Sequence, residues 1–218
     1  MKKIFAIVLG TALMLAGTNA FAQLSVGAGW LNNTERSTDK DNDGKELGTD
    51  KANLNGFYAG ANYNIAIGKG FSVAPGLYAT MQFASGEGSA LWGFATGTAK
   101  YTELAINVPV NFAYTVEVGD LDVFAYLGPI FQYAVLGKYS TTSDIGGGAL
   151  TGASERDLYS GDNATRKPFN IYFGGGAGIQ AGQFQVILGY DHSLTNLSTV
   201  KNNTVSRSQI KIGVGYAF

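Results

Sequence analysis

Three groups of residues combine types and spacings that could do chemistry. Asp39-Lys40-Asp41-Asn42-Asp43-Gly44 places acidic oxygens at alternate positions before a glycine, the D-x-[DN]-x-[DN]-G opening of a calcium loop. Asp50 holds the twelfth place, where such a loop carries a bidentate glutamate, and Glu46 stands where an apolar residue is usual. Asp39, Asp41 and Asp43 can therefore be read as calcium ligands or as the charge of a solvated loop. His192 is the sole histidine and lies between Asp191 and Ser193, the residue types of a nucleophile, its base and an orienting acid. Adjacent residues on a strand point to opposite faces, so His192 is expected to turn away from both neighbours. Asp191 and Lys211 form the third group. Each lies seven residues from an aromatic, Phe184 and Phe218, which sets them at similar heights on neighbouring strands and predicts an internal ion pair, because a lone buried charge is costly. Gly146-Gly147-Gly148 and Gly174-Gly175-Gly176 are not phosphate loops: no Lys-Ser/Thr follows either.

The elements that must position these residues are strands. Lys2-Lys3, an apolar stretch from Ile4 to Leu15 and Ala20-Phe21-Ala22 before Gln23 have the layout of a cleaved secretory signal. Residues 1–22 are thus expected to be removed, leaving 23–218 as one domain. The chain has no cysteine, which excludes a disulfide framework and a lipid-anchored cysteine. Loss of Lys2 and Lys3 takes the formal charge from −1 to −3, which gives no reason to expect nucleic acid as a partner.

Beyond Gln23 no helical period and no apolar run of about 18 residues occurs, so helical membrane spans are excluded. Alternation recurs instead. Phe57, Ala59, Ala61, Tyr63 and Ile65 alternate with Tyr58, Gly60, Asn62 and Asn64, a dyad period. Segments beginning near Leu24, Phe71, Glu103, Val123, Phe169, Phe184 and Ile210 behave alike, giving eight strands. The one from Val123 to Val135 is less clean, since Phe124 and Tyr126 share a face with Gln132. Gly68-Lys69-Gly70, 117–121 and Gly182-Gln183 are tight turns, whereas 32–52, 85–99, 137–168 and 193–206 are long and polar. Short and long connections then fall at opposite ends.

The second face decides where the apolar side chains point. Only 14% of the chain is charged, and the eight segments hold Glu103, Asp191 and Lys211 as their clear charged members. A soluble sandwich would have to present Gly, Asn, Ser and Ala to water almost without charge. Inverted, the apolar bulk faces lipid and small polar residues fit a narrow lumen. Trp30, Phe57, Phe83, Tyr133 and Phe169 fall at the long-loop ends, and Phe71, Tyr114, Phe184, Tyr216 and Phe218 at the turn ends, two expected aromatic girdles. The fold class is therefore an all-β, eight-stranded antiparallel up-and-down transmembrane barrel with long extracellular loops. Closure leaves no sheet edge in lipid.

Four stretches carry a family resemblance: Ile106-Asn107-Val108-Pro109-Val110-Asn111-Phe112, Tyr126-Leu127-Gly128-Pro129-Ile130-Phe131, Phe173-Gly174-Gly175-Gly176-Ala177-Gly178-Ile179 and Gly189-Tyr190-Asp191-His192-Ser193-Leu194-Thr195-Asn196-Leu197. In order and spacing they resemble the PorT-like outer-membrane β-barrel family of Gram-negative bacteria, across essentially all of 23–218. Asn107 stands where that family often has glutamate. The terminal Phe218 with Tyr216, Val214, Ile212 and Ile210 looks like the signal read by the barrel assembly machinery. The resemblance implies outer-membrane localisation, with outer-membrane lipid and lipopolysaccharide as surroundings and the assembly machinery as a partner during biogenesis.

These readings lead to a monomeric structural or surface-interaction barrel with a closed, side-chain-filled lumen and with any binding carried by the loops. No catalytic, cofactor-binding or metal residue is assigned, and no cofactor is expected. Two alternatives remain: an accessory component of a secretion or assembly complex, with periplasmic or membrane partners, and a lipid A-modifying enzyme built on the Asp191-His192-Ser193 trio.

Overall fold

The computed structural model describes residues 22–90, 95–145, 150–161 and 164–218. The expected leader, 1–22, lies outside them except for Ala22, with which the first strand begins. Nine strands follow: β1 (Ala22–Lys40), β2 (Glu46–Gly68), β3 (Phe71–Ala90), β4 (Ala95–Val118), β5 (Leu121–Ile145), β6 (Leu150–Asp157), β7 (Phe169–Ala181), β8 (Phe184–Ser193) and β9 (Asn203–Ala217). All neighbours are antiparallel, and β1 pairs with both β2 and β9 while β4 pairs with both β3 and β5. The ring closes through eight of the nine, because β7 follows β5 around it. β6 pairs with β5 alone, over Lys138–Ile145, beyond the last β5–β7 partner, Tyr133.

The side-chain period of two dictates which residues face out. Exposed apolar residues form a belt, among them Leu24, Val26, Leu77, Phe112, Leu127, Val186, Leu188, Ile212 and Val214, a surface that is stable against hydrocarbon and not against water. Rings of aromatics bound it. Phe71 meets Tyr114 at 4.6 Å between centroids and Phe184 meets Tyr216 at 5.5 Å at the turn end, and Phe57 meets Phe83 at 6.2 Å at the other. Both expected girdles are present, and the barrel spans a membrane.

The inward face departs from the expectation of small residues. Tyr58, Tyr78, Phe124 and Tyr126 point into the lumen, and glycines on nearby strands give them room. A Cβ at Gly189 would lie 2.6 Å from the Tyr126 hydroxyl, and one at Gly60 would lie 2.6 Å from the Tyr78 ring. The large inward rings and the inward glycines are thus one packing device, which explains why the Val123–Val135 segment looks irregular.

The long connections also differ from expectation. The polar sequences of 32–52, 85–99 and 137–168 predict loops, yet β1 runs to Lys40, β2 starts at Glu46, β3 runs to Ala90 and β5 to Ile145. Polar alternation continues the ladder past the membrane, because a strand in water no longer needs an apolar face. Beyond the belt the wall splits. β2 and β3 stop pairing above Asn55 and Phe83, leaving β2–β1–β9 as one raised sheet and β3–β4–β5–β6 as the other. A bulge opposite Leu104 and Ala105 on β4, which leaves Val135 unpaired, lies where β5 exchanges β7 for β6 as its neighbour.

Candidate functional site

The lumen has two halves. Toward the turn end it contains a cavity of about 220 Å³ whose walls include Ser25, Asn62, Asn64, Tyr78, Asn111 and Tyr126, with Gln23, Asp122, Gln180 and Gln185 near its rim. The side-chain-filled lumen expected from the small strand number is therefore only half realised, since short residues such as Ser25, Ala74, Ala113 and Thr115 line this part. The half toward the long loops is packed. Asn33 donates to Gln82 at 3.0 Å, a pair across β1 and β3, and Gln132 donates to Asn107 at 2.9 Å and Asn107 to Thr80 at 3.1 Å, a chain across β5, β4 and β3; each member is buried.

Asp191 and Lys211 form the expected ion pair, with Lys211 Nζ at 2.6 Å from Asp191 Oδ2. Gln209 donates to the same oxygen at 2.6 Å. Asp191 is completely buried, so the ammonium and the amide replace water at Oδ2, while Oδ1 is left without a partner. His192 turns outward as alternation requires and meets Ser208 Oγ at 2.8 Å, while Asp191 and Ser193 are buried on the inner side. The trio is adjacent in sequence and divided in space, so it cannot relay a proton from Ser193 through His192 to Asp191.

Above this lies the feature that sequence reading missed. Arg207 on β9 is 1% exposed and donates to Glu35 on β1, to Glu103 on β4, each at 2.9 Å, and to the Tyr101 hydroxyl at 2.8 Å. Glu103 also accepts from the hydroxyls of Tyr101 and Tyr159. Arg166 reaches the other oxygen of Glu35 at 2.5 Å. One guanidinium thus joins opposite walls of the barrel, and two residues of the third long connection, Tyr159 and Arg166, close over it. Leu31, Leu54, Leu158, Tyr172, Leu197 and Val205 are buried as well. Backbone bonds hold the closing segment down: Leu158 N–H to Gly137 at 2.9 Å, and Lys167 N–H to Leu197 at 2.8 Å.

Glu35 lies five residues beyond Trp30, outside the membrane-spanning part. Burial pushes its carboxyl up, but the Arg207 and Arg166 guanidiniums outweigh burial and hold it below the ordinary value. The signal was available in the sequence. Glu35 and Arg207 keep the inward parity of Gly29-Leu31-Asn33 and of Gln209-Lys211, and extending the period past the girdle would have found them.

The acidic stretch folds as a turn. Asp41 Oδ1 accepts from the N–H groups of Asp43 and Lys45, both at 2.9 Å, and Gly44 takes φ +82°. Asp39 accepts from Asn203 Nδ2 at 2.6 Å on β9. Alternate acids here give one hairpin cap and one cross-strand acceptor, and among the described residues no three His, Cys, Asp or Glu side chains converge on a metal position.

No protein-family model and no curated protein matches the chain. Solved structures do. Ail of Yersinia pestis, in a crystal structure with the heparin analogue sucrose octasulfate, is 16% identical, covers 91% of this chain and 100% of its own, and superposes with a TM-score of 0.42. Neisserial surface protein A is 15% identical with the same coverages and a TM-score of 0.43. The outer membrane protease OmpT of Escherichia coli is 10% identical, covers 93% of this chain and 99% of its own, with a TM-score of 0.34. The likeness is one of barrel fold, to outer-membrane proteins both with and without a protease's name.

Proposed function

We propose that this chain is a small, non-enzymatic barrel of the Gram-negative outer membrane, closed to diffusion and built for contact at the cell surface. The single observation that carries the reading is the Arg207 network. It seals the lumen with charges drawn from opposite walls, at the end where the two raised sheets project. A pore would keep that end open, whereas a platform benefits from a rigid base. The leader 1–22 directs export in this reading, and the PorT-like resemblance of 106–112, 126–131, 173–179 and 189–197 belongs to it. The long-loop end lies outside the cell, as is usual where short turns face the periplasm. The raised sheets, β2–β1–β9 and β3–β4–β5–β6, carry the binding that the sequence assigns to loops.

Fractionation of cells followed by protease treatment of intact cells tests this reading. It predicts recovery with the outer membrane and cleavage confined to the raised sheets. Crosslinking in intact cells then distinguishes extracellular ligands, which support it, from periplasmic secretion partners, which would favour the accessory role.

A further inference from the structure

The outward side of the β2–β1–β9 sheet contains an arrangement that the fold itself does not explain. Arg36 on β1 stands directly opposite Lys51 on β2, and both are exposed. Like charges in directly opposed positions destabilise a sheet, and here no acid relieves them. Among the described residues neither side chain has a hydrogen bond or an ion pair. The acids nearest in sequence, Glu35 and Asp50, have the opposite parity, and Glu35 is bound to Arg207 and Arg166 on the inner side. Hydrogen-bonding groups surround the two cations. Ser206 is the β9 neighbour of Arg36, and one row toward the membrane Thr34 donates to Oδ1 of the exposed Asn53 at 3.0 Å.

We propose that Arg36 and Lys51, with Asn53 and Ser206, bind a phosphate group on the saccharide part of an outer-leaflet glycolipid. A phosphate between the two cations would convert their repulsion into two charge-assisted contacts, with a guanidinium suited to two-point binding. Height selects the source. Arg36 and Lys51 each lie six residues beyond a girdle aromatic, Trp30 and Phe57. At about 3.3 Å per residue and a strand tilt of about 40°, that is roughly 15 Å above the girdle. Phospholipid head groups extend only about 5–8 Å beyond the hydrocarbon, whereas a phosphorylated saccharide reaches the site.

This inference rests on the outer-membrane placement proposed above. A chain that fractionates elsewhere fails that placement first; an outer-membrane barrel indifferent to phosphate fails this inference alone. The test uses the full chain in detergent micelles, with intact lipopolysaccharide, the same lipopolysaccharide after chemical removal of phosphate, phosphatidylglycerol and inorganic phosphate as probes. Intact lipopolysaccharide binds at least about tenfold more tightly than the other three. Lys51→Glu restores a cross-strand ion pair, so it weakens lipopolysaccharide binding at least about tenfold while raising the unfolding temperature of the lipid-free barrel. Arg36→Gln/Lys51→Gln weakens binding similarly, so the outcome does not depend on one variant's folding. Equal affinity for dephosphorylated lipopolysaccharide, phosphatidylglycerol or inorganic phosphate would overturn the proposal. So would parental binding by the variants, or equal binding of a soluble sulfated saccharide.

Discussion

Arg207 concentrates the chemistry of the mouth in one side chain. It satisfies Glu35, Glu103 and the Tyr101 hydroxyl at once, and it is buried with them. Removing it leaves Glu103 buried with two hydroxyl donors and no cation, and Glu35 with Arg166 alone; breaking a buried pair in this way typically costs about 3–5 kcal/mol. Arg207→Met should therefore lower stability by about that amount in urea-induced unfolding from lipid vesicles, far more than Lys138→Met, whose partner Glu155 is in water. Glu35 makes the same network pH-dependent. Its folded pKa lies below the ordinary value of 4.5, so the stability it contributes is fully present above about that pH and is lost as pH falls through the depressed folded value. The unfolding temperature should hold level from neutral pH down to about 5 and then drop, and the drop should shrink in Glu35→Gln.

The elements show how much of the molecule was legible in advance. Alternation located the eight ring strands, both girdles, the outward His192 and the Asp191–Lys211 pair, because a membrane forces apolar and polar residues onto opposite faces. It stopped at the girdle. Past that height both faces of a strand meet water or protein, the hydrophobic contrast that marks a strand disappears, and β1–β2 and β5–β6 look like polar loops. Arg207 and Glu35 were lost in the same place, although their parity was intact. The stretch from Asp39 to Asp50 misled differently: acids at every second position suit a calcium loop and equally a strand that ends in an Asx-capped turn. If Asp41 acts as the cap, Asp41→Asn should preserve slow amide exchange at Asp43 and Lys45, since an amide oxygen accepts the same two bonds, whereas Asp41→Ala should speed it. Dependence of that protection on millimolar calcium would instead restore the metal reading.

At the scale of the whole molecule, the proposed function makes the barrel a tube blocked near one end. A cavity of about 220 Å³ occupies the turn-end half, and above it lie the buried amides and the Arg207 network. In the proposed reading blockage and display belong together: the Arg207 network ties β1, β4, β9 and the third long connection into a base from which two sheets rise. Planar-bilayer recording tests this central claim most directly. The parent protein should give no steady conductance, and Arg207→Met should give openings that the parent lacks. A large, steady conductance from the parent barrel would contradict the account.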